Sequence, residues 1–68
     1  MIKILAIVKL MKYQVIKFEH QPSHGYRWLK IGDKIYKPIT VFDAENCIAI
    51  ESDDDISGIE YIEFLKNI

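Results

Sequence analysis

Two histidines, one cysteine and a run of aspartates are the residues best equipped for chemistry in this chain. His20 and His24 stand four apart in HQPSHGYRWLKI, residues 20–31. On a helix that spacing puts both imidazoles on one face, where they could hold zinc. Pro22 and Gly25 argue for a loop instead, and no third or fourth ligand follows nearby. The pair is therefore read as exposed or capping imidazoles, with no metal site. Cys47 lies between Asn46 and Ile48, near several acids. A reactive thiolate needs a cationic or helix-N-terminal setting, so this thiol is read as buried and inert.

The run DDDISG suggests a calcium loop beginning at Asp53, with Asp55, Ser57 and Gly58 at the third, fifth and sixth positions. The twelfth position would then be Phe64, where a bidentate glutamate is required; Glu63 misses by one residue. Asp43, Glu51 and Asp53 supply carboxylates for magnesium chemistry, but no lysine follows closely. No glycine-rich phosphate loop is present. No catalytic residue and no cofactor is assigned.

Binding chemistry is better represented. Tyr26, Arg27 and Trp28 are residue types enriched at interaction hot spots. With Lys30, Lys34 and Lys37 they also mix aromatic and basic groups as single-strand nucleic-acid binders do. Formal net charge is −1, but eight of the nine basic residues lie in 1–42 and eight of the ten acidic residues in 43–68. Such polarity implies either halves that neutralise each other on folding or an acidic patch offered to a partner.

The elements that must position these groups are short. Sixty-eight residues make one small domain, 1–68, with little room for a deep catalytic pocket. Half the residues are hydrophobic, enough for a packed core. One cysteine cannot form an intramolecular disulfide, which implies a reducing compartment. Lys9 and Lys12 break the apolar opening, and no cleavage site follows it, so a cytoplasmic protein with no membrane contact is expected. Met11 could be a second start, which would make 1–10 a dispensable strand or extension.

Ile and Val enrichment predicts strands over 2–8, 11–20, 26–31, 34–42 and 47–51. In the second, Ile16 and Phe18 share one face, and Tyr13 and Val15 the other. Pro38 cannot donate to a ladder and should sit at an edge or split its run. DAEN, residues 43–46, reads as a turn. Ile56, Ile59, Ile62, Leu65 and Ile68 recur every third residue. Ser52 with Asp55 three residues on reads as a capping box, with Asp53, Asp54 and Asp55 in the first turn. Residues 52–67 are therefore expected to be a helix, although Gly58 and the β-branched isoleucines oppose it. The fold class expected is α+β: a mostly antiparallel sheet of three to five strands with a C-terminal helix packed on one face.

SHGYRWLKI followed by IYKPITVFDAENCIAIESDDDISGIEYIEFL resembles short uncharacterised proteins of bacteria, phages and mobile elements. The pattern spans about residues 11–66 and rests on His24, Gly25, Trp28, Leu29, Glu51, Asp53 and Asp55. That resemblance carries no activity over, and its phage and mobile-element character implies a regulator or inhibitor of a host protein. LKIGDKIY with the terminal YIEFL resembles SH3-like barrels, which implies a β-barrel as the alternative fold.

These readings converge on a small non-enzymatic protein-binding module. Its docking surface is expected at Glu51, Asp53, Asp54 and Asp55, with Tyr26, Arg27 and Trp28, and its partner is expected to be a basic protein. A homodimer is compatible with the sequence. The alternative is a single-stranded nucleic-acid binder using Tyr26, Arg27, Trp28 and the lysines.

Overall fold

The computed structural model describes residues 2–22, 25–40 and 46–67. They form seven strands: β1 (Ile2–Leu10), β2 (Tyr13–Phe18), β3 (Trp28–Ile31), β4 (Lys34–Tyr36), β5 (Ile39–Thr40), β6 (Cys47–Glu51) and β7 (Tyr61–Leu65). The strand order is β4-β3-β7-β1-β2-β6-β5, with every neighbouring pair antiparallel.

No helix occurs among the described residues. The α+β expectation is therefore corrected to all-β: where a C-terminal helix was expected, an irregular segment leads into β7. The three-residue spacing has another origin. Ile56 and Ile59 turn inward from the irregular segment, and β7 then alternates, with Ile62 buried and Phe64 packed against the core. Ser52 and Asp55 do cap, but they cap turns. The Asp54 N–H donates to Ser52 Oγ at 3.0 Å, and the Ser57 N–H donates to Asp55 Oδ1 at 3.0 Å. Such local bonds compete with helix formation, and β-branched side chains favour the extended backbone.

Pro38 splits its run into β4 and β5. These two strands lie at opposite ends of the strand order yet are joined by only Lys37 and Pro38. Two linking residues span at most about 11 Å, so the sheet must curl until its ends approach. It remains an open sheet: no ladder joins β4 to β5 among the described residues, so the closed barrel is not formed.

The curl encloses Ile16, Phe18, Leu29, Ile31, Ile48, Ile50, Ile56 and Ile62. Phe64 stands between two aromatic neighbours, edge-on to Phe18 at 5.2 Å and tilted against Tyr26 at 4.7 Å. Gln14 is the buried polar residue among the described residues, and its amide donates to the Ser52 carbonyl at 3.0 Å and the Asp54 carbonyl at 2.7 Å. That clamp fixes the irregular segment against β2.

Candidate functional site

The acidic segment is the first candidate. Asp54 Oδ2 accepts from the Lys34 ammonium at 2.8 Å and from the Tyr36 hydroxyl at 2.8 Å. These two donors hold the Asp54 carboxyl below the usual carboxylate range, and Lys34 is raised chiefly by the same hydrogen bond. Partial burial, and then the bond to Asp54, push the Tyr36 phenol up. Asp55 is lowered by its bond from Ser57, with a smaller contribution from Lys9. Glu51 Oε1 lies 3.4 Å from the Lys12 ammonium. Glu51 and Asp54 are thus matched to cations from the lysine-rich half, and Asp55 is engaged in a turn. Ile31, Asp33, Lys34, Tyr36, Asp54 and Ile56 help line an open cleft of about 350 Å³ beside this cluster.

The second candidate trio divides. Tyr26 packs against the core and Phe64, and burial raises its phenol. Arg27 is exposed. Trp28 is half-buried on the outward side of β3, opposite Leu65, and two residues on, Lys30 faces Glu63. The aromatic and basic groups therefore do not form one platform.

His20 and Gln21 are exposed, whereas His24 lies outside the described residues, as do Asp43, Ala44 and Glu45 of the expected turn. Cys47 is half-buried and opposite Lys17 on β2. Among the described residues no three His, Cys, Asp or Glu side chains come together as a metal site. Nor is any helix among them long and apolar enough to cross a membrane.

A third surface, which the sequence reading missed, lies on β1. Its register against β2 runs Ile4↔Phe18 and then Ala6↔Lys17, so Leu5 is an extra residue in a bulge. A bulge shifts the side-chain phase by one residue. Without it Ile2, Ile4, Ala6, Val8 and Leu10 would share one face. With it, Ile7 joins Ile2 and Ile4 against the core, while Val8 and Leu10 turn outward.

Leu5, Val8 and Leu10 keep 55%, 53% and 56% of their surface in water, and Met11 at the hairpin tip keeps 92%. Met11 also adopts a φ of 56°, an uncommon conformation for a residue with a side chain. Register places Val8, Val15, Ala49 and Ile39 in one row across β1, β2, β6 and β5. Leu10 and Tyr13 extend the apolar face, with Glu51 at one end of it and Lys17 at the other. The signal in the sequence was the doubly apolar pattern ILAIVKL, whose two faces cannot both enter one core.

No protein-family model, curated protein or solved structure matches the chain.

Proposed function

We propose that this chain is a small, non-enzymatic protein-binding module of the regulator or inhibitor type. The observation supporting this reading is the outward row of Val8, Val15 and Ile39, with buried Ala49 between the last two, extended by Leu10 and the exposed Met11 tip. A contiguous apolar surface of this kind on a small domain marks an interaction site. Its rim carries Lys17 at one end and the acidic segment at the other, where Asp53 is exposed. The partner it suits has an apolar patch bordered by a basic residue beside Asp53. This replaces an all-acidic docking face, because Asp54 and Glu51 already face Lys34 and Lys12.

The test is a photo-crosslinking amino acid placed at Tyr13 in one variant and at Lys30, on β3 away from the row, in another. A partner joined through position 13 and not through position 30, and lost on Val15→Lys, supports the reading. Capture only through position 30 overturns it.

The nucleic-acid reading has one observation in its favour: Trp28 and Lys30 share an outward face. Tyr26, however, is committed to Phe64, and Glu63 sits opposite Lys30. Salt-dependent quenching of Trp28 by a single-stranded oligonucleotide would favour it.

A further inference from the structure

β1 has nine residues but only part of one edge is paired. On one side it follows β2 from Ile4 to Leu10. On the other, β7 pairs only with Ile2 and Lys3, and the Ile4 N–H reaches the Glu60 carbonyl at 2.7 Å. In an antiparallel ladder the backbone groups alternate sides. Leu10 and Tyr13 close a two-residue hairpin, so Leu10, Val8 and Ala6 address β2. The Phe18 N–H, bonded to the Asn46 carbonyl, shows the same alternation on β2. The N–H and C=O groups of Ile7 and Lys9 therefore point away from β2, along an edge with no ladder partner among the described residues.

We infer that this edge pairs with the same edge of a second copy, antiparallel, about a two-fold axis at Val8. Self-pairing on an odd residue sum would set bonding groups opposite non-bonding ones, so the axis must pass through a residue. Centred on Ile7, Leu10 would run into the second copy's Glu60, which already covers Ile4. Centred on Val8, Ile7 faces Lys9 of the second copy and Lys9 faces its Ile7. All the outward groups of both residues are then used, in four interchain hydrogen bonds.

The side chains agree with this register. Val8 meets Val8, Leu10 meets Ala6, and Met11 meets Leu5, so each exposed apolar residue of the hairpin gains an apolar neighbour. Charge agrees too. Lys9 faces an isoleucine, with Asp55 of its own chain near enough to feel its field. The tip carrying Lys12 ends where the second copy's Glu60 begins.

The slot is finite, bounded by the bulge and β7 at one end and the turn at the other, so the pairing closes at two copies and does not propagate. It buries on the order of half the roughly 800 Å² per partner of a standard interface, so the dimer is weak, with a dissociation constant on the order of 100 μM. It would double the apolar row described above. That consequence rests on the proposed function; the self-association does not.

The test is sedimentation of the full chain from roughly 10 μM to 1 mM, a range that brackets weak association. The wild type is expected to move from monomer to dimer. Val8→Glu and Val8→Lys should each stay monomeric, and an equimolar mixture should recover a heterodimer. Amide exchange at Ile7 and Lys9 should slow at least several-fold with rising concentration, while exchange on the other strands is unchanged. A monomer throughout, or dimers with no added protection at Ile7 and Lys9, would overturn the inference. Neither outcome depends on the external partner, so its failure is separate from failure of the proposed function.

Discussion

Lys34 and Tyr36 donate to one and the same oxygen, Asp54 Oδ2, each at 2.8 Å. Alternate residues on β4 thus grip one carboxylate of the segment between β6 and β7. The Asp54 carboxyl is held below its ordinary value, so its contribution to stability is complete above the unfolded value of about 3.9 and is lost as pH falls through the lower folded value. Lys34 is raised, so its contribution is complete below its unfolded value of about 10.4 and is lost as pH rises through the higher folded value. The difference in unfolding free energy between wild type and Asp54→Asn should be flat from roughly pH 5 to 9 and shrink on both sides. Urea titrations across that range measure it. Both groups are exposed, so the plateau should be low.

Gln14 should matter more. Its buried amide supplies two hydrogen bonds to the Ser52 and Asp54 carbonyls. Gln14→Met keeps the volume but leaves both acceptors without their donor, at a cost of about 1–3 kcal/mol. Gln14→Glu should cost more, because a carboxylate would face two carbonyl oxygens. Chemical denaturation of the two variants ranks them.

The strand assignment of residues 61–65 makes its own demand at Glu63, an exposed position facing Lys30. In a strand a β-branched side chain is preferred; in a helix alanine is preferred. Glu63→Val should therefore be more stable than Glu63→Ala by a few tenths up to about 1 kcal/mol. The reverse order would restore the helix.

Met11 should be improvable. Glycine adopts a φ of 56° without the side-chain penalty, so Met11→Gly should raise stability by about 1 kcal/mol while removing an exposed apolar tip. Thermal unfolding measures the gain. A chain begun at Met11 should fail to fold, since β1 lies between β7 and β2 in the strand order. Loss of dispersed amide resonances in that truncated chain would show it.

Much of the sheet was legible because local patterns carry it. Ile16 and Phe18 alternate with Tyr13 and Val15 on β2, and Pro38 interrupts its run as its missing N–H requires. Two things were not legible. One is a bulge: nothing at Leu5 marks the extra residue, yet it decides that Ile7 enters the core and Val8 does not. The other is long-range pairing. The charge polarity was plain, but only the fold brings Lys34 to Asp54 and Lys12 to Glu51, twenty and thirty-nine residues apart in sequence. The C-terminal segment misled because two inward turns at Ile56 and Ile59, followed by alternation from Ile62, imitate a helical period.

The outward surface of the β1–β2 hairpin should be covered in the cell. Hydroxyl-radical footprinting compares Met11 oxidation inside cells with that of the dilute purified chain, using half-buried Trp28 as the internal reference. Met11 should be strongly protected in the cell, with Trp28 labelled alike in both settings. Equal labelling of Met11 in the two settings would contradict it.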